Sequence, residues 1–171
     1  MRKGHALEIS KKETWESAFA SRTDLSNYGD NAIGLFALAL RFNLEDVVSV
    51  ASDAITDGND DKKIDMIYID PEEHIAVIAQ CYYSKTAKAS APSNKASDLN
   101  TAVGWLLQTP IAKVPERIRP SAQQLRKSIA DGSLTEIRAW YVHNLPEGKN
   151  VAAELAYRGS PPGSAGEAAV V

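Results

Sequence analysis

The chain has 171 residues, 24% charged and 44% hydrophobic, with a formal net charge of −3. That length supports one domain with a sizeable core, and a single cysteine, Cys81, excludes an internal disulfide, so a small stapled scaffold is not expected. The start, MRKGHALEISKK, lacks the apolar stretch of a secretion signal, and no apolar run approaches the roughly 20 residues of a membrane span, so the expectation is a cytoplasmic protein without a membrane partner. The net charge hides a gradient. Residues 1–61 carry 6 basic and 11 acidic side chains, residues 62–128 carry 10 and 6, and residues 129–171 carry 3 and 5. Only the middle third is basic, which is where a polyanion would be met.

In chain order, KKETWESAFA reads as a short helix and SRTDLSNYGD as a loop. AIGLFALAL, Ala32 to Leu40, is apolar all round and reads as a buried helix. Asn43 is expected to cap a helix over LEDVVSVASDAIT, whose Leu44, Val47, Val48, Ala51 and Ile55 recur at helical spacing, and which stops at the turn formers DGNDD. Two β-rich runs follow, Ile64 to Ile69 and Ile75 to Tyr83, joined by DPEEH as a hairpin. After a polar stretch, Leu99, Ala102, Val103 and Leu106 mark a helix starting near Ser97. Another helix covers about Ser121 to Ala130, with Gly132 placed to end it. Leu134 to His143 reads as a strand, VAAELAYR as a short helix, and GSPPGSAGEAAVV as a disordered or linker tail. A hairpin followed by a helical crossover to another strand predicts an α/β (α+β) fold, a mixed β-sheet with flanking helices.

The hairpin holds two polar residues that apolar strands do not explain, Asp65 and Gln80. If Asp70 and Ile75 close the loop, Ile67 pairs with Ile78, Asp65 with Gln80, and Lys63 stands opposite Tyr82. A carboxylate beside an amide oxygen is a hard-oxygen site that suits Mg²⁺ (or Mn²⁺), which activates water and neutralises charge on a phosphodiester, while a nearby ammonium holds the phosphate. The plainer alternative has Asp65 capping the strand start or bonding a loop, with Gln80 at a solvated rim.

An Asp followed across a hairpin by Gln, with a helix before it and a helical crossover after it, resembles the restriction-endonuclease-like PD-(D/E)XK fold, especially its Mrr-like branch. The stretches DDKKIDMIYID, IAVIAQCYYSK, NKASDLNTAVGWLL and YVHNLPEGKNVAAELA, in this order and spacing, resemble the N-terminal region of the AIPR family of bacterial abortive-infection phage-resistance proteins, over about residues 30–158. The resemblance implies an N-terminal extension at 1–30, partly helical, a restriction-endonuclease-like domain at 31–158 and a tail at 159–171. It implies a nuclease-like domain in phage defence, acting on DNA more than RNA, with Asp65 and Gln80 as metal ligands and Glu45 as an auxiliary acid. Such proteins extend further, so a C-terminal region outside this chain or a partner protein is implied; a homo-oligomer is a further partner considered. The chain departs from the pattern at Tyr82, where the motif has Lys. Lys63 and Lys95 are the substitutes considered for the catalytic ammonium, and Lys85 ranks behind them because strand alternation turns it to the other face. The alternative function is an inactive nuclease-fold module that binds nucleic acid or senses a phage component.

Other residues read more simply. Cys81 is a buried inert thiol, His74 and His143 are structural or solvated, and Trp105 and Trp140 are core, unless one is exposed enough to stack a base. P-loop, dinucleotide and G-x-S-x-G motifs are missing, which removes support for nucleotide hydrolysis, hydride transfer and acyl transfer.

Overall fold

The architecture grows from the hairpin. In the computed structural model of the chain, which describes residues 14–56, 58 and 62–156, strand β1 (Met66–Asp70) pairs antiparallel with β2 (Ile75–Tyr82). Ile67 stands opposite Ile78 and Asp70 opposite Ile75, the predicted register. The turn is held by Asp70, whose Oδ1 accepts the backbone N–H groups of Glu72 and Glu73, both at 2.9 Å. Strand β3 (Glu136–His143) then lies parallel to β2, Gln80 beside Tyr141 and Tyr82 beside His143. The sheet order is β1-β2-β3, mixed as expected.

Helices cover both faces because both faces of β2 are apolar, and every β2 residue but Tyr82 is buried. On one side α1 (Trp15–Ser21), α2 (Asn31–Phe42) and α3 (Val47–Ala54) pack over Met66, Val77, Ala79, Cys81, Trp140 and Val142. Asn31 through Ala39 of α2 are all buried, as a helix apolar all round requires. On the other side α4 (Ser93–Leu107), α5 (Arg119–Ala130) and α6 (Lys149–Ala156) pack over Ile67, Ala76, Ile78 and Tyr141. The chain is thus an α+β fold of three layers. Among the described residues no helix is long and apolar enough to cross a membrane.

Several boundaries differ from expectation: SRTDLSNYGD, read as a loop, holds a 3-10 helix at Thr23–Tyr28, and β1 and β3 each begin two residues later than read. Asn43 is not an N-cap: it adopts the left-handed conformation (φ 50°, ψ 44°) and closes α2, because αL suits Asn after a helix C-terminus. The cap of α3 is Asp46, whose carboxylate accepts from the Ser49 N–H at 3.1 Å. α4 begins at Ser93 rather than near Ser97, directly after Pro92, which cannot be a helix interior residue. The tail at 159–171, residues 1–13 and most of DGNDD lie outside the described residues.

Candidate functional site

Asp65 precedes β1 by one residue, and its backbone is clamped on both sides. Its N–H donates to Ala79 O (3.1 Å) and its C=O accepts from the Thr56 N–H (3.0 Å). Thr56 is itself buried: its Oγ1 donates to Ile64 O at 2.8 Å, and its C=O accepts from Arg117 Nε at 2.6 Å. So fixed, the Asp65 carboxylate points to the face of the sheet that α4 covers, the face shared by Ile67 and Ile78.

There it meets Gln80. Asp65 is 8% exposed and Gln80 only 1%. Asp65 Oδ2 accepts from the Cys81 N–H at 2.7 Å and from Gln80 Nε2 in a short hydrogen bond. The cross-strand pairing read from the sequence is therefore a direct side-chain contact. The solvated-rim alternative for Gln80 is overturned by its burial, whereas the bond from Asp65 to the β2 backbone keeps part of the structural alternative. The bond to Asp65 leaves the other amide atom, Gln80 Oε1, buried with no hydrogen-bond partner. Leaving such a group unsatisfied costs about 1–3 kcal/mol, which a fold tolerates where a ligand or water completes the site.

The donors present, one carboxylate and one orphaned amide oxygen, fit a hard cation in kind. Mg²⁺ commonly takes one or two carboxylates and keeps waters and substrate phosphate as its other ligands. Among the described residues no group of three His, Cys, Asp or Glu is poised to hold a metal ion. Glu45, expected as the auxiliary acid, is exposed and stands before α3 rather than within a helix.

The lysines separate. Lys62 and Lys63 both have positive φ (55° and 68°), so the chain bends before β1 and the extended register opposite Tyr82 is broken. Lys63 Nζ instead lies 3.9 Å from Asp98 Oδ2 on α4. Lys95 is half-buried in the first turn of α4, and Lys85 is exposed. The ammonium that does meet Tyr82 belongs to Lys88, which no strand-based register could nominate because it lies in the loop after β2. Lys88 Nζ donates to Tyr82 Oη and lies 5.2 Å from the ring centroid.

Around this pair the same face gathers Tyr141 and His143. Tyr141 Oη donates to Pro92 O at 3.0 Å, and its ring stands 4.7 Å from that of His143. Burial, and then the neighbouring Tyr82, raise the Tyr141 phenol well above its usual range, so it stays protonated and keeps its hydrogen bond to Pro92 O. Burial lowers the His143 pKa, partly opposed by Glu147. The sheet face thus presents Asp65, Gln80, Tyr82 with Lys88, Tyr141 and His143.

The remaining sequence readings divide. Cys81 is buried in the opposite layer with its Sγ 3.7 Å from Met66 Sδ, Trp140 is core at 4% exposure, and His74 closes the β1–β2 turn with Nδ1 2.9 Å from Ser133 O. Trp105 is only half-buried, with Lys62 Nζ 4.9 Å from its ring centroid. No family model, no curated protein and no solved structure matches this chain.

Proposed function

We propose that this chain is the nuclease-like domain of a phage-defence protein of the abortive-infection kind, with a restriction-endonuclease-like core that hydrolyses phosphodiesters of DNA, and of RNA second, with Mg²⁺ or Mn²⁺. The observation that supports it is the buried Asp65 and Gln80 pair with its unpartnered Gln80 Oε1. Asp65 and Gln80 would hold the ion, which when bound supplies charge neutralisation at the phosphate and a more acidic water. The chain's own part is positional. The β1 and β2 backbones hold the carboxylate in place, the low-dielectric face strengthens its attraction for a cation, and Lys88, tethered to Tyr82, is the ammonium assigned to the phosphate. The test is cleavage of plasmid and single-stranded substrates with Mg²⁺ or Mn²⁺ by the parent and by Asp65→Asn. Loss in the variant is expected; equal activity in both rules out this site.

One observation favours a second reading, a nuclease-fold module that binds nucleic acid, or senses a phage component, without cleaving. Tyr82 stands at the motif lysine position, and an amide N–H occupies Asp65 Oδ2. In that case the parent cleaves nothing under any divalent ion yet binds DNA with an affinity that falls steeply with salt. Absence of binding at low salt would eliminate nucleic-acid binding from this reading.

A further inference from the structure

Away from the Asp65 pair, α4 and its C-cap carry one stripe of residues at helical spacing, Asp98, Thr101, Trp105 and, at the cap, Gln108. The bend before β1 lies over this stripe. Lys63 Nζ reaches Asp98 Oδ2 at 3.9 Å, and Lys62 Nζ sits 4.9 Å from the Trp105 ring centroid. Thr101, Gly104, Trp105, Gln108 and Thr109 line an open cleft of about 310 Å³. Its floor is rigid, because Arg126 ties down the end of α4 through Leu106 O (2.7 Å) and Thr109 O (2.6 Å). The space over Gly104 is open: a Cβ there would meet nothing within 4 Å.

The geometry points to this cleft as a stacking site for one unpaired base of single-stranded DNA, a refinement that rests on the nucleic-acid reading above. An aromatic ring with an ammonium beside it is the arrangement that binds a strand by its base and its phosphate together. The volume is at the low end of small-molecule sites, enough for a base and not for a duplex, whose base faces are already stacked. The energies favour exchange at the ring. An exposed cation–π contact is worth about 0.5–1 kcal/mol and a stacked base about 1–3, so a base stacked on Trp105 outweighs the loss of the Lys62 contact with the ring. Thr101, Gln108 and Thr109 supply hydrogen-bonding groups for the base edge. Lys62 precedes Asp65 by three residues, so their Cα atoms lie within about 11 Å of each other and the two sites share one short stretch of chain.

Binding of a fluorescein-labelled dT 12-mer, measured by anisotropy at low salt, tests this with two variants. Trp105→Ala removes the ring, and Gly104→Leu fills the cleft while removing a glycine from a helix interior, a change that favours the helix. Each should weaken dT binding about 5- to 150-fold, the equivalent of one stacked base, and leave binding of a 12-base-pair duplex unchanged. Parental affinity in either variant, or no binding of the dT 12-mer by the parent, overturns the inference. The two readings fail separately: if Asp65→Asn cleaves like the parent while both cleft variants lose dT binding, the hydrolytic site is wrong and the stacking site stands.

Discussion

Replacing Asp65 tests whether the buried pair is what the geometry says it is. Asp65 Oδ2 accepts from two buried donors, Gln80 Nε2 and the Cys81 N–H. Asp65→Ala removes that acceptor in a place water does not readily reach, at about 1–3 kcal/mol per donor, or about 2–6 kcal/mol together. Asp65→Asn behaves differently. Its side-chain oxygen can take the place of Oδ2 and keep both bonds, losing about 1 kcal/mol of charge assistance from each while no longer burying a charge, so its cost stays below about 2 kcal/mol. Urea unfolding followed by far-UV circular dichroism reads this directly. With a slope near 2 kcal/mol per molar, Asp65→Ala should lower the midpoint by about 1–3 M and Asp65→Asn by less than about 1 M at unchanged slope. An alanine variant within about 0.3 M of the parent, or an asparagine variant falling as far as alanine, refutes the assignment of that carboxylate as a doubly used buried acceptor. The contrast also selects Asp65→Asn for the cleavage assay, since a folded variant separates chemistry from stability.

Three further outcomes follow from named contacts. Lys88→Met keeps the stem against Tyr82 but removes the ammonium, and should lower cleavage about 10²-fold with little change in thermal midpoint; unchanged cleavage, with Lys85→Met as the control, dismisses Lys88 from the reaction. In Gly34→Ala the new Cβ would lie 2.6 Å from Met66 Sδ and closer still to Cys81 Sγ, so overpacking toward the upper end of about 1–3 kcal/mol outweighs a helix gain of about 1, and scanning calorimetry should show Tm lower by up to about 8 °C. His143 has its pKa lowered from 6.5 by burial, so below that pH the unfolded chain binds more protons than the folded one. Stability should therefore fall as pH drops below about 6.5, and His143→Asn should flatten that part of the profile in urea titrations; an unchanged profile contradicts the burial of a neutral ring.

Much of the fold was legible because its signals are local. The β1–β2 register follows from strand alternation and the DPEEH turn alone, and that register brings Asp65 to Gln80. α2 was equally plain, an apolar run that only a buried helix satisfies. The lysines were not legible. A register argument assumes an extended chain, and two consecutive residues with positive φ broke that assumption at Lys62 and Lys63. Lys88 was missed for the same kind of reason, since a loop residue has no periodicity to place it. Asn43 and Asp46 show how a short polar stretch between two helices holds two capping candidates whose roles are decided by where the first helix ends.

The sequence by itself determined the mixed sheet with flanking helices, the hairpin register and the pairing of two polar residues, because hydrophobic period and turn chemistry act over a few residues. Only the tertiary structure decided how deeply the pair is buried, that Gln80 Oε1 has no partner, that Lys63 goes to Asp98 and Lys88 to Tyr82, and that Trp105 stays half-exposed beside Lys62. Those are contacts between segments distant in the chain, or joined by a loop, and they depend on how α4 and the two loops close over one face of the sheet.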